Sequence, residues 1–160
     1  MITFHDLYQQ HAADVYRFAY WLSGNVADAE DIASETFVRA WAGWPKIRAN
    51  SAKGYLFTIA RNLFLQRQRH AHRHTDLNFE QPDPRLSPLE LISARDELEK
   101  LHRALQTLPE IDRAAFLMRV EYEMSYSDIA GALSISVASA KVKVHRTRLK
   151  LVALKDLKTL

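Results

Sequence analysis

The spacing of apolar residues predicts α-helices along most of the chain. Over residues 3–22 the apolar positions recur at intervals of three and four, as they do on one face of a helix. Similar rows predict a second helix over about 26–44 and a third over about 52–70. Gly24 separates the first two helices, and Pro45 ends the second. The first half of the chain is therefore predicted to be three helices.

A second helical part follows a stretch rich in proline. Residues 76–88 (DLNFEQPDPRLSP) hold three prolines and no periodic apolar row, which predicts a linker. Beyond it, Pro109 at a first helical position opens a helix through Val120, whose side chain is expected to face inward. The predicted fold class is all-α, with two small helical domains at 1–75 and 89–160 joined by a flexible linker.

The block 125–150 has the pattern of a helix-turn-helix. Ser125 is a candidate N-cap of a short helix, and Ser134-Ile135-Ser136 interrupts the apolar row before a longer helix. Such turns often use glycine for a left-handed residue, and Ser134 in that place costs ~1 kcal/mol. The longer helix has five basic residues in the ten positions 141–150 and no acid. In helix-turn-helix proteins the second helix enters a major groove of DNA.

Charge alternates along the chain. The net charge is +3, but residues 1–45 carry −4, residues 46–75 carry +7, residues 76–136 carry −6 and residues 137–160 carry +6. A basic segment by itself is usually a solvated face. Two basic segments on separate helices fit two contacts with one polyanion.

Composition excludes several classes of protein. The absence of cysteine excludes disulfides and thiol catalysis and favours the cytoplasm. No apolar run is long enough for a transmembrane helix, and the N-terminus lacks the basic region of a signal peptide, so no membrane insertion is expected. His70, His72 and His74 have the wrong spacing for metal ligands on one helical face, and His11 falls in a core row. No metal, cofactor or catalytic residue is expected.

Two helices of the first half carry candidate binding faces. The acids of the second helix share one face, which is either solvated or a docking face for a basic partner. In the third helix the aromatic residues Tyr55, Phe57 and Phe64 lie among basic and polar ones. Aromatic rings beside cations can stack on unpaired bases while the cations hold phosphates. The alternative for each ring is a place in the core.

Four segments together resemble a known family. They are VYRFAYWLSGNVADAEDIASETFVRAW (15–41), YLFTIARNLFLQRQR (55–69), LEKLHRALQTLPEIDRAAFLMRV (98–120) and SYSDIAGALSISVASAKVKVHRTRLKL (125–151). In this order they resemble the small bacterial sigma factors of the extracytoplasmic-function type, in the sigma-70 family. The resemblance implies two helical domains, regions 2 and 4, in a subunit that binds core RNA polymerase and promoter DNA and opens the start site. An exposed docking face would also be a natural target for an anti-sigma factor.

The resemblance also implies roles for individual residues. Docking on core polymerase would fall to Asp28, Asp31, Glu35, Phe37 and Arg39. The −10 element would be bound by Lys46, Arg48, Asn50, Arg61, Asn62, Gln66 and Arg69. The −35 element would be bound by Arg119, Ser139, Lys141, Val142, Lys143, His145 and Arg146.

The chain departs from the family pattern at four positions. Ser134 and Glu123 stand where the family often has glycine, and Ala138 and Val142 replace small or polar residues of the DNA-facing helix. Val142 can pack on a thymine methyl group, which would shift promoter preference.

Three other function classes compete with this interpretation. A stand-alone helix-turn-helix regulator accounts for residues 89–160 but gives residues 1–75 no role. A module that binds only proteins accounts for the acidic helix but not for the two basic segments. An enzyme would need a metal spacing, a catalytic triad or a phosphate loop, and the sequence offers none of these.

Overall fold

The structure, a computed structural model, describes residues 3–43, 52–71 and 99–158. Side chains are described through residue 70 in the second of these ranges and through residue 154 in the third. Every regular element in the described ranges is an α-helix, which confirms the predicted all-α class.

The chain divides into two compact units, Met1–Gln81 and Pro82–Leu160. The predicted linker 76–88 lies outside the described residues. Each unit has its own buried apolar side chains, and each is described by itself below.

The first unit contains three helices, α1 (Phe4–Ser23), α2 (Val26–Ala42) and α3 (Ala52–Ala71). Thr3 caps α1 in a capping box, because its hydroxyl accepts from the amide of Asp6 at 3.1 Å and its own amide donates to the Asp6 carboxylate at 3.1 Å. Gly24 ends α1 in the left-handed conformation, with φ 70°, as its position in the sequence predicts. The second helix ends at Ala42, two residues before the predicted end.

The core of the first unit lies where these helices meet. Phe18 of α1 and Phe57 of α3 are fully buried and stack face to face, with ring centroids 4.4 Å apart. Burial of one such side chain stabilises the fold by ~2 kcal/mol. Ile32 and Thr36 fill the α2 side, and the Thr36 hydroxyl donates to the carbonyl of Ile32 at 2.6 Å, so its buried oxygen is satisfied.

The second unit contains a helix over 99–106, called α4, followed by α5 (Glu110–Val120), α6 (Tyr126–Leu133) and α7 (Val137–Lys158). Residues predicted to face inward are buried on α5, α6 and α7: Ala114, Ala115, Leu117, Met118, Ile129, Ala130, Leu133, Ala140, Val144 and Thr147.

Two predictions about α5 were wrong. Pro109 is the residue before the helix rather than its first residue, since its ψ of 141° is extended. Val120 is exposed rather than buried, and it is the last residue of α5.

The helix-turn-helix has the predicted caps and turn. Ser125 caps α6 by accepting from the amide of Asp128 at 3.0 Å, and the Ser136 hydroxyl accepts from the amide of Ser139 at 3.0 Å at the start of α7. Ser134 has φ 56° and ψ 46°, the left-handed conformation expected for the turn. The Ile135 amide then donates to the carbonyl of Ala130 at 3.0 Å, which closes the end of α6 in a Schellman-type turn.

Candidate protein and nucleic-acid interfaces

An acidic face formed by Asp28, Asp31 and Glu35 runs along α2. Asp31 and Glu35 are exposed, and Asp28 is half-buried in the first turn of the helix, where a negative charge is favoured by the helix dipole. Of the other predicted docking residues, Arg39 pairs with Glu35 at 3.3 Å. The structure therefore brings four of the five predicted docking residues onto one surface of a single helix.

Arg67 of α3 reaches this acidic face. Its guanidinium lies 3.3 Å from an Asp28 carboxylate oxygen and 3.5 Å from one of Asp31. The three side chains are partly exposed, so each pair contributes little to stability. Helical spacing could not predict this contact, because Arg67 and Asp28 are 39 positions apart.

Phe37, the fifth predicted docking residue, is largely buried between α1 and α2. Its ring meets Tyr8 edge to face at 4.9 Å and lies on the floor of an apolar groove of about 580 Å³. Trp41, which the sequence pattern places beside the inward row, is instead 61% exposed and packs on Phe4 at 4.8 Å. This groove adjoins the acidic face, so that α2 presents both charge and exposed apolar surface. In the sequence, this apolar surface is indicated by Trp41, the aromatic residue just before the end of α2.

A polar stripe formed by Asn62, Gln66 and Arg69 lies along α3. These residues are four and three positions apart and exposed, so they share one helical face. Arg61, also predicted to bind the −10 element, is half-buried beside the stripe. The remaining predicted −10 residues lie outside the described residues: Lys46, Arg48 and Asn50.

The aromatic residues of α3 divide between the core and the surface. Phe57 and Phe64 are buried, so the interpretation that they stack on bases was wrong. They point inward because the apolar face of α3 packs on α1 and α2. Tyr55 is 38% exposed and lies seven residues before Asn62, which places it on the polar stripe. Tyr55 is therefore the α3 ring that remains available to an unpaired base.

The outer face of α7 is formed by Lys141, Val142 and His145. All three side chains are exposed, and Val142 is 57% accessible. His145 lies four residues after Lys141, so the two side chains are on the same face of the helix. These are three of the seven residues predicted to bind the −35 element, and their side chains are open to solvent.

Two other predicted −35 residues, Lys143 and Arg146, lie on the flank of α7 that faces α5. Arg146 donates to Asp112 from Nε at 3.2 Å and from Nη2 at 2.8 and 3.1 Å. The ammonium group of Lys143 lies 3.7 Å from the same carboxylate. We call these three residues the Asp112 cluster. Ser139 is half-buried near the start of α7, and its amide is bound by Ser136.

Arg119, at the end of α5, is held on two sides. Its Nη1 donates to the carbonyl of Met124 at 3.0 Å, and its guanidinium lies 4.4 Å from the centre of the Tyr126 ring. Lys141 lies 5.8 Å from the same ring. Tyr126 thus brings the cations of α5 and α7 onto one surface.

The described residues offer no other obvious chemistry. Within them, no group of three histidine or acidic side chains could hold a metal ion. No helix among the described ranges is both long enough and apolar enough to cross a membrane.

Both units of the chain match known protein families. The profile of sigma-70 region 2 matches residues 7–74, and that of sigma-70 region 4 matches residues 98–151. The chain is 33% identical to the ECF RNA polymerase sigma factor SigL of Mycobacterium tuberculosis over 145 residues, which cover 87% of this chain and 81% of SigL.

Two further relatives extend the comparison. The chain is 33% identical to the ECF RNA polymerase sigma factor SigE of Mycolicibacterium smegmatis, and the match covers 94% of this chain and 61% of SigE. The solved structure of the Bartonella quintana sigma factor RpoE in complex with the anti-sigma factor NepR superposes with a TM-score of 0.76 at 25% identity, over 93% of this chain and 94% of RpoE. This chain therefore belongs to the sigma-70 family, as an RNA polymerase sigma factor of the extracytoplasmic-function type.

Proposed function

We propose that this sigma factor holds core RNA polymerase through α2 and promoter DNA through α3 and α7. The observation that carries this proposal is the presence of both sigma-70 regions, in order, on one chain. Promoter recognition at two separated elements needs both regions, whereas a stand-alone regulator would leave residues 7–74 without a role.

The acidic face of α2 is the proposed docking surface for the polymerase. Asp31 and Glu35 are exposed, so their carboxylates can attract a basic surface of the partner. The neighbouring apolar groove with Trp41 adds area that such a partner can bury. Arg39 is tied to Glu35 and would sit at the edge of the contact.

The polar stripe of α3, with Tyr55, is the proposed site for the unpaired strand of the −10 element. Opening a duplex by capture of a flipped base costs a few kcal/mol, and stacking on an aromatic ring returns ~1–3 kcal/mol. Asn62 and Gln66 offer both donors and acceptors to base edges, while Arg69 holds phosphate. Binding energy alone thus opens the DNA, and the chain needs no catalytic activity of its own.

The outer face of α7 is the proposed reader of the −35 element. Lys141 can pair with guanine, and the exposed methyl groups of Val142 can pack on a thymine methyl. Arg119 and Lys143 are the proposed phosphate contacts, which fix the position of the helix-turn-helix on the duplex without reading its sequence. These roles place the protein in the bacterial cytoplasm, and the NepR partner of the similar RpoE structure supports an anti-sigma factor as a regulatory partner.

Transcription in vitro tests the proposal as a whole. Core RNA polymerase would be given a genomic DNA library with and without this chain, and transcript starts would be mapped by sequencing. We expect a set of starts that appears only with the chain and that shares motifs near −10 and −35. Identical starts with and without the chain would contradict the proposal, and a DNA footprint that needs no polymerase would favour a stand-alone regulator.

A further inference from the structure

Asp112 is a charged residue almost wholly removed from solvent. Its side chain is 2% exposed in the first turn of α5, and its carboxylate faces Arg146 and Lys143 of α7. Removal of a carboxylate from water costs several kcal/mol unless its charge is matched by partners. The two cations and the N-terminal end of α5 supply that compensation.

The contact uses only one edge of the Arg146 guanidinium. Nε and Nη2 donate to Asp112, and Nη1 is not among the atoms that Asp112 binds. The Arg146 side chain is 47% exposed, and together with Lys141, Val142 and His145 it lines one open surface of α7. Because the guanidinium is planar, a carboxylate on one edge fixes the direction in which the free donors point.

Lys143 differs from Arg146 in exposure. Its side chain is 19% exposed, less than half the value for Arg146, although both cations face the same carboxylate. In the Asp112 cluster, Lys143 is therefore a largely buried counter-ion, and Arg146 is a cation that is exposed to solvent.

From these contacts we infer that Asp112 is a positioning residue for the −35 element: it holds Arg146 so that the free edge of the guanidinium reads a base pair. The inference rests on the proposed role of α7. A preorganised arginine loses less side-chain entropy on binding, and it meets guanine in one orientation rather than many. An arginine without this support would be drawn to the nearest phosphate.

Positioning and mere structural support predict different results. Removal of the Asp112 charge adds one net positive charge next to DNA, which raises or preserves affinity for any duplex. Loss of positioning lowers only the preference for the correct base pair. If Asp112 only stabilises the fold, both quantities fall together.

The experiment uses holoenzyme assembled from core polymerase and the full chain, with a promoter library randomised over the −35 region. Asp112→Asn is compared with Asp128→Asn, which removes the same charge from an exposed acid of α6. We expect Asp112→Asn to lower the preference for the favoured base at one or two positions about tenfold. Affinity for non-promoter duplex should be unchanged or higher, and Asp128→Asn should keep the full preference.

A second variant keeps the inference testable if Asp112→Asn misfolds. Arg146→Lys keeps the charge but loses the planar fork, so it should lose the same base preference while non-promoter affinity is kept. Combined with Asp112→Asn it should cause no further loss. If Asp112→Asn loses its helical circular dichroism, Arg146→Lys still tests the inference, because a full base preference in that variant overturns it.

Three outcomes would overturn the inference. They are an unchanged preference in Asp112→Asn, a proportional loss of preference and of non-promoter affinity, and a loss as large in Asp128→Asn. If the wild-type chain directs starts and one of these results is obtained, only the role of Asp112 fails. If the wild-type chain directs no starts, the proposed function fails and the inference falls with it.

Discussion

At the scale of single residues, two positions hold backbone conformations that glycine adopts at little cost. Ser134 has φ 56° at the end of α6, and Glu123 has φ 53° in the turn between α5 and α6. A non-glycine residue in the left-handed region costs ~1–2 kcal/mol because its Cβ crowds the following carbonyl group. The turn is therefore formed at the expense of some stability.

We predict that Ser134→Gly raises the free energy of unfolding by ~1 kcal/mol, because glycine removes the steric cost of the left-handed conformation. Ser127→Gly is the matched control, since Ser127 is an exposed residue within α6. There the same substitution should lower stability by ~0.5–1 kcal/mol. Urea denaturation followed by circular dichroism measures both, and a loss of stability in Ser134→Gly would contradict the argument.

His11 illustrates the effect of burial on titration. It is half-buried, its Nδ1 has no hydrogen-bond partner among the described residues, and Lys53 lies nearby in an ion pair with Asp14. Burial, followed by the charge of Lys53, lowers the pKa of His11 below its ordinary value. The unfolded chain therefore binds a proton more readily than the folded chain does.

We predict that this histidine makes the fold less stable at acidic pH. Its contribution is complete above the unfolded pKa of about 6.5 and is lost as the pH falls toward the lowered folded pKa. His11→Gln should reduce the loss of unfolding free energy between pH 7.5 and pH 5. Urea melts of both proteins at these two pH values give the comparison, and equal pH dependence would show that His11 does not contribute.

At the scale of elements, α2 and α3 share their charges. Arg67 of α3 partly neutralises Asp28 and Asp31, the same carboxylates proposed to meet the polymerase. A partner that supplies its own cation to this face would compete with Arg67. The side chain of Arg67 would then be released on the helix that carries the −10 residues.

We predict that Arg67→Ala raises the affinity for core polymerase about two- to threefold, because an exposed ion pair no longer has to be broken. The gain should shrink at high salt. Arg69→Ala removes the same charge from the same helix and should leave the affinity unchanged. Asp31→Lys should weaken binding. Fluorescence anisotropy with labelled chain and core polymerase measures all four proteins, and weaker binding by Arg67→Ala would count against competition at this face.

At the scale of the whole molecule, the chain consists of two compact units, each with buried apolar side chains of its own. The proposed contacts with promoter DNA come from both units, through α3 in one and α7 in the other. A single covalent chain makes the second contact intramolecular once the first has formed, at an effective concentration in the millimolar range.

We predict that the two units lose directed initiation when they are supplied as separate polypeptides, 1–81 and 82–160. At micromolar concentrations the number of promoter-specific transcripts should fall about 10²-fold, because the gain in effective concentration is lost. The intact chain at the same concentration is the control, and circular dichroism checks that each half is helical. Equal transcription from the mixture and the intact chain would show that the covalent link is not needed.

Local regularities of the sequence were sufficient to predict these helices, although the end of α2 and the start of α5 differ from the prediction by one or two residues. The apolar rows of α1, α5, α6 and α7 are buried with few exceptions, and Ser125 caps α6 as its spacing predicts. The left-handed Ser134 was predictable as well, since a turn between two such helices requires it. These features depend on residues within about four positions of one another, so they can be predicted from the amino-acid sequence alone.

The tertiary structure alone decided which candidate side chains are available to a partner. It paired Arg146 with Asp112 across 34 positions, placed Arg67 against the acidic face, and buried Phe57 while leaving Tyr55 exposed. Residues so distant in the chain become neighbours only when helices pack, and helical spacing does not state which helices pack or on which faces. The sequence by itself thus determined which helices form and that the chain belongs among sigma factors, whereas packing determined which of its charges remain free to bind.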